Sequence, residues 1–532
     1  MKNLAPLQPY LLFSIFTLCG FTIACGSAKF NDPPGIAATA VANTQNPLVA
    51  NVTVTAGLGG CPGQTMVEFG PDTSYGRSTA WYRTVPATPN STIIVAGMRA
   101  STTYHMRAHV QSLCTGETKS FVGRDITFTS GPLPSMAFPT LAVTRPNPSD
   151  SSPENPGIEL VDVISPNDNL MQAFFTDRDA NPIWYYQLAP TYVPETIKFL
   201  PNGHLIFSLD GATDSLLREV DLAGHTIREM DVTALRQKVL NAGYDFVPSL
   251  FHHDLLPLDN GHLLVLVNFT KNFTDLPGYP GTTAVLGDGV IDLDQNWNPV
   301  WAWNSFDYLD VNRHLNGLPD WTHSNALVYS DDGNLLISMR HQSWILKLDY
   351  NNGAGTGNVL WHFGYQGDFA LRDGGIPSSD PSAWFSYQHF PSIISQSGPQ
   401  TTLAVWDNGD NRVLNIDNAI CGLGNPIPGC FSRATVFQID EGAMVANLLW
   451  ADPLPYYGIW GGSINQLGNG NVEFDLNAPA VPPSPNVASE VQEVTQTSPP
   501  QVVWQMQISP IAQTAYRAYR VPSLYPGVSW QY

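Results

Sequence analysis

Apolar and polar residues alternate along most of the chain in runs of roughly four to eight, the period of half-buried β-strands. Four hairpins share a glycine at the turn: FLPNGHLIFSL, PLDNGHLLVLV, YSDDGNLLISM and QLGNGNVEFDL. A second apolar run follows, ending in a Trp-containing strand. Examples are VIDLDQNWNPVWAWN, ILKLDYNNGAGTGNVLWHFG, VFQIDEGAMVANLLWADP and ASEVQEVTQTSPPQVVWQMQ. Hairpin plus hairpin is a four-stranded unit, and its recurrence at a period of roughly 40–70 residues is the signature of a β-propeller. The pattern predicts an all-β chain with a six-bladed propeller. The blades are expected near 158–190, 193–232, 250–305, 322–365, 387–452 and 460–508, with the tail AYRAYRVPSLYPGVSW closing the ring.

Upstream, residues 28–135 hold short alternating strands (ANVTVTA, TMVEFG, STIIVAG, TYHMRAHV, RDITFTS) that predict a small β-sandwich. The run MRASTTYHMR, from Met98 to Arg107, resembles a strand region of fibronectin type III-like modules, an Ig-like sandwich. The Pro/Ser/Asn-rich segment 143–157 reads as a linker. The expected organisation is an export signal over 1–24, a sandwich over 25–142, the linker, and a propeller over 158–532.

Composition adds the compartment. Lys2 precedes LLFSIFTLCGFTIAC, an apolar run too short to span a bilayer comfortably, which reads as an export signal. Ile23-Ala24-Cys25-Gly26 resembles a bacterial lipobox, so Cys25 is the expected lipidated terminus, anchoring the protein to a membrane in the periplasm or at the cell surface. Of the remaining cysteines, the simplest pairing is Cys61 with Cys114 and Cys421 with Cys430. The net charge of −21 argues against a nucleic-acid partner.

Candidate chemistry emerges when the hairpins are aligned on their turn glycines. Eight residues before Gly333 stands Asn325, and eight before Gly261 stands His253. Nine before Gly398 is His389, seven before Gly470 is Ser463, and eight before Gly203 is Glu195. Polar groups thus recur at one level of the ring. In the hairpin DWTHSNALVYSDDGNLLISMRHQ, an even-length turn centred on Asp332-Gly333 sets Asn325 opposite Arg340, with His323 on the same face. Alternation sends His252 to the face opposite His253, and His341 to the face opposite Arg340.

The segments FHHDLLPLDNGHLLVL, DWTHSNALVYSDDGNLLISMRHQ, YQHFPSI, VWDNGDNR and YRVPSLYP resemble the bacterial arylsulfate sulfotransferases that do not use PAPS, over roughly residues 155–530. The resemblance implies an extracytoplasmic six-bladed propeller that moves a sulfuryl group from a phenolic sulfate donor to a phenol acceptor. It implies His389 as the nucleophile, His323, His253 and Arg340 as further catalytic residues, and Asn325 and Ser463 as donors to the sulfuryl oxygens, with His252 the fallback for His253. No metal or other cofactor is required. Trp321 and Phe390 are expected to hold aryl rings. Two other readings stay open. One is a metal-dependent hydrolase with His253, His323 and His389 as ligands and Glu195 or Asp254 nearby. The other is a propeller that binds without catalysis.

Overall fold

The structure, a computed structural model, describes residues 34–531 apart from 89, 148–152, 166–169, 212, 414–419, 423–428, 478, 482–485 and 511–513. The expected export signal and Cys25 lie outside the described residues. Among the described residues no helix is long and apolar enough to cross a membrane.

Beyond the N-terminal part the protein is all-β and propeller-like. Six sheets follow one another, each built around a four-stranded antiparallel meander. The first runs from Tyr192–Phe199 to Thr226–Asp231, the second from Leu250–Pro257 to Pro299–Asn304, and the third from Ser324–Tyr329 to Val359–Gly364. The fourth runs from His389–Ser397 to Val445–Pro453, and the fifth from Ile464–Gln466 to Val502–Ser509. The sixth combines both ends of this region: Thr514–Val521 pairs with Ile158–Ile164, which continues into Ala173–Thr176 and Pro182–Tyr186. The inner edge strand of each sheet packs on the next in sequence, and Val472–Asn477 packs on Thr514–Val521.

Apolar residues fill the seams between sheets. Trp406 and Phe474 stack between the fourth and fifth, and Leu336, Phe363, Phe385 and Phe437 pack between the third and fourth. Leu335, Ile337 and Met339 are fully buried against the second sheet. Each such side chain contributes roughly 1.5–3 kcal/mol by leaving water.

Residues 35–129 form two facing sheets around Val52, Val67, Ile93 and Met106. Cys61–Cys114 and Cys421–Cys430 are both formed, with Cα atoms 5.1 and 5.6 Å apart. Strand Thr140–Thr144 adds to the fifth sheet by pairing with Val502–Ser509, so it straddles the expected boundary at residue 142. The tail divides its work. Residues 514–521 complete the sixth sheet, whereas Tyr525 and Trp530 leave it and pack into the N-terminal sandwich. There the Trp530 ring meets Phe69 edge-on and its indole N–H reaches the Ser78 carbonyl at 2.9 Å.

The hairpin 324–339 departs from the expected register. Ser330 and Asn334 close a three-residue turn with Gly333 at φ +81, so paired numbers sum to 664 rather than 665. Asn325 is therefore an extra residue between the pairs Ser324–Met339 and Ala326–Ser338, and it does not lie opposite Arg340. Arg340 is the first residue of the 3-10 turn Arg340–Gln342 beyond the strand.

Candidate active site

The inner strands bulge at the level where the polar residues recur. The ladder skips Glu195 in the first sheet, loses register between Phe251 and Leu255 in the second, and skips Asn325 in the third. It shifts between His389 and Ser392 in the fourth, and skips Tyr516 on the last strand of the sixth. A bulge breaks the alternation of faces and re-aims side chains. His253 (φ +55), His323 (φ +48) and Tyr387 (φ +54) adopt left-handed backbone, uncommon for such residues and typical of functional sites.

His389 is almost wholly buried. Its Nδ1 lies 2.7 Å from Asn408 Oδ1. The Asn408 amide has one orientation, because its Nδ2 donates to the Gly458 and Gly461 carbonyls at 3.0 and 3.1 Å. Oδ1 must then accept, so Nδ1 carries the proton and Nε2 keeps its lone pair. The Gly461 N–H donates to that lone pair at 3.2 Å. Burial first, and then the Arg340 guanidinium, hold the His389 pKa well below the usual imidazole value, against the Asn408 bond.

Around it stands a stack of imidazoles. His323 Nε2 meets His253 Nε2 at 3.1 Å, and the rings are 4.8 Å apart. His253 Nδ1 rests on Glu195 Oε2 and His323 Nδ1 on Asp320 Oδ2, each at 2.6 Å. With both Nδ1 atoms donating to carboxylates, the Nε2–Nε2 contact needs one shared proton. Burial, with the neighbouring cations, pushes the His323 pKa well down. His253 stands over the Glu195 carboxylate. Burial raises that carboxyl's pKa, but the His253 ring outweighs burial and holds it below its ordinary value.

Arg340 is buried beside this stack. It donates from Nη1 to His341 Nε2 at 2.8 Å and from Nη2 to the Ile459 carbonyl at 2.9 Å, and lies over the Tyr387 ring at 4.8 Å. Its Nε–H has no partner among the described residues. Asp410 is 3.7 Å away, its pKa pushed up to about 7 by burial. Tyr516 stacks on His253 at 5.4 Å and meets His389 edge-on at 6.2 Å, and its buried hydroxyl has no partner among the described residues. Trp460 stacks on Tyr516 at 6.3 Å from a partly exposed position.

Several expectations change. His252 and His253 do not take opposite sides: the bulge sets their rings 4.9 Å apart, with His252 in an ion pair at 3.1 Å with buried Asp288. Burial lowers the His252 pKa, but Asp288 outweighs it and raises it above the ordinary value. His341 does not oppose Arg340 either. The 3-10 turn folds it onto His323, 4.5 Å between rings. Asn325 Nδ2 donates to the Gln388 carbonyl at 2.8 Å, holding the strand that begins at His389. The Ser463 hydroxyl, expected as a donor to sulfuryl oxygens, is engaged with the Ala518 carbonyl at 2.5 Å. Trp321 is buried against Phe306, Leu276 and Val285, unable to hold a substrate ring. Phe390 stacks on Tyr519 and lies 4.6 Å from Lys198 Nζ.

Asn408, Asp320, His341 and Tyr516 are the site residues that strand periodicity misses. Asn408, Asp320 and His341 nonetheless stand inside VWDNGDNR and DWTHSNALVYSDDGNLLISMRHQ. For a metal, the trio His253, His323 and His389 is not the grouping the structure brings together. Among the described residues, ligand atoms of Asp320, His323 and His341 lie within 4.8 Å of one another. Their hydrogen bonds already use them, since Arg340 donates to His341 Nε2 and His323 Nδ1 is on Asp320. Asp254 is occupied by Arg517 at 3.0 Å and Lys198 at 3.3 Å.

The family model for arylsulfotransferases (ASST) matches residues 143–520, which span all six sheets. The chain belongs to the arylsulfotransferase family. That membership supports arylsulfotransferase activity, with aryl sulfate donors and phenol acceptors. A comparison with curated proteins returns no match. Among solved structures, a Bacteroides caccae protein of unknown function is 11% identical, covering 68% of this chain and 98% of its own, with TM-score 0.37. A Lactobacillus plantarum protein is 9% identical, covering 69% and 99%, with TM-score 0.35. Virginiamycin B lyase from Staphylococcus aureus is 11% identical, covering 77% and 92%, with TM-score 0.28. Superpositions this loose carry no argument about chemistry.

Proposed function

We propose that the protein transfers a sulfuryl group from a phenolic sulfate ester to a phenol in two half-reactions through N-sulfo-His389, without PAPS. The observation that carries this reading is the Asn408 amide, whose fixed orientation leaves a bare Nε2 on a neutral, buried imidazole. Neutral imidazole attacks sulfur without prior deprotonation.

In the first half-reaction the Nε2 lone pair forms the N–S bond as the S–O(aryl) bond breaks, and the electron pair leaves on the phenolate. The proton shared by His253 and His323 passes to that oxygen, releasing phenol. In the second half-reaction the same pair takes the acceptor's proton as its oxygen attacks sulfur, and Nε2 regains its lone pair. The imidazole ring gains positive charge while sulfated, so its Nδ1–H bond to Asn408 strengthens along the reaction coordinate. Arg340 offers its unpartnered Nε–H to the three sulfuryl oxygens. The Gly461 N–H, which meets the resting lone pair, turns to one of the same oxygens.

The same reading takes the six sheets as the blades of a closed propeller and residues 35–129 as a fibronectin type III-like module. It takes the protein to be exported and held on a membrane by lipidated Cys25.

Steady-state assay with a chromogenic aryl sulfate tests the reading. Sustained phenol release that requires a phenol acceptor supports it. Equal release without acceptor makes the protein a hydrolase, and no release in either case removes the reading.

A further inference from the structure

Next to the histidine stack, on the far side of Tyr387, the fold leaves a cavity of about 210 Å³. Tyr387 is the shared wall: Arg340 and His341 lie on its ring at 4.8 and 5.3 Å, and its hydroxyl accepts from Asn411 at 2.6 Å. Phe385, Leu315, Pro381 and Ile420 supply the other apolar walls, and Arg313 the polar end. A void of about 150 Å³ admits benzene, so this one has room for a substituted ring.

Arg313 is the unusual member. Its Nη1 donates to the Gln342 carbonyl and Oε1 at 2.9 and 2.6 Å, its Nη2 lies 3.5 Å from the Tyr365 carbonyl, and its guanidinium stacks 3.5 Å over Trp344. All these partners are neutral. No carboxylate pairs with it among the described residues, and none lines the cavity. Arg412, the other cation there, already pairs with Asp407 at 2.7 Å, a carboxylate it shares with Arg433. Burial alone lowers the Arg313 pKa, to about 10, which leaves it cationic at neutral pH. A half-buried guanidinium without a counterion, at the end of an aromatic slot, is arranged to receive an anion.

We propose that this cavity is a specificity subsite for a phenolic substrate whose ring carries a carboxylate, with that carboxylate on Arg313. The inference rests on the sulfuryl-transfer reading for its use, but not for its binding.

Titration calorimetry of the full-length protein with 4-hydroxyphenylacetate and with uncharged 4-ethylphenol tests it directly. The carboxylated phenol is expected to bind about tenfold or more tightly than the neutral one. Arg313→Met abolishes that preference, and Leu315→Trp, which fills the slot from a half-exposed position, weakens both ligands. As acceptors, the kcat/KM ratio of the two phenols falls by the same factor in Arg313→Met. Equal binding of both phenols by the native protein overturns the subsite, as does a preference that survives both substitutions. An Arg313-dependent preference without sulfation of either phenol keeps the subsite and rejects sulfuryl transfer. Sulfation without any preference does the reverse.

Discussion

At the scale of single residues, the tautomer of His389 is set by one neighbouring amide. Asn408 fixes the tautomer through one hydrogen bond and is itself fixed by two. Asn408→Ala is expected to lower kcat on the order of 10²-fold while the circular dichroism spectrum stays native. A drop confined to KM would assign Asn408 to binding instead. His389→Asn is expected to abolish turnover and leave the fold intact. The pH behaviour follows from the sign of the shift. Burial and Arg340 disfavour the imidazolium, so His389 stays neutral as pH falls through 6.5. Nitrogen-15 shifts of labelled histidine should then show a protonated Nδ1 and a bare Nε2 at that pH. Arg340→Gln removes a positive neighbour and should move the titration upward, toward the ordinary imidazole range.

Elements explain both what the sequence reveals and what it hides. Turn glycines mark the hairpins because Gly203, Gly261, Gly333, Gly398 and Gly470 all take positive φ, and counting back from them reaches the ring of polar groups. The direction of each side chain is less legible. A one-residue difference in the 330–334 turn slides the register, and a bulge at Glu195, at His252-His253 and at Asn325 cancels strict alternation. Neither signal is in the period of apolar residues, so the facing of His252, His341 and Asn325 was not readable from it. Asn408 and Gly461 lie in loops, where periodicity says nothing. The Trp460–Gly462 loop is the element most exposed to test. A Cβ on Gly461 (φ +68) would come within 1.9 Å of Asn477 Nδ2. Gly461→Ala is therefore expected to shift the amide off His389 and cut kcat at least tenfold, with a lowered thermal midpoint as buried Asn477 is displaced. Native kcat in that variant would show that the amide plays no part.

Across the whole molecule, the chain ends tie the parts together. The last long strand sends Arg517 across to two other sheets, where it bonds Asp254 at 3.0 Å and reaches the Asn325 carbonyl, joining three sheets. Beyond it, Trp530 packs in the N-terminal sandwich against Phe69, so that module is bound through the C-terminus as well as through residues 130–147. Trp530→Ala should cost about 3–5 kcal/mol, read as a lower unfolding midpoint of the N-terminal module, with turnover per folded molecule preserved. Simultaneous loss of turnover would mean that the two parts unfold as one.

The central claim is a covalent bond to one nitrogen, and it is tested most directly by mixing the protein with an aryl sulfate in the absence of acceptor, quenching rapidly, and digesting for mass spectrometry. One equivalent of released phenol is expected, with one added SO3 group on the peptide containing His389, at its imidazole, removed when a phenol is supplied. Phenol release in a single burst with no modified His389, or with the group on another residue, would contradict it.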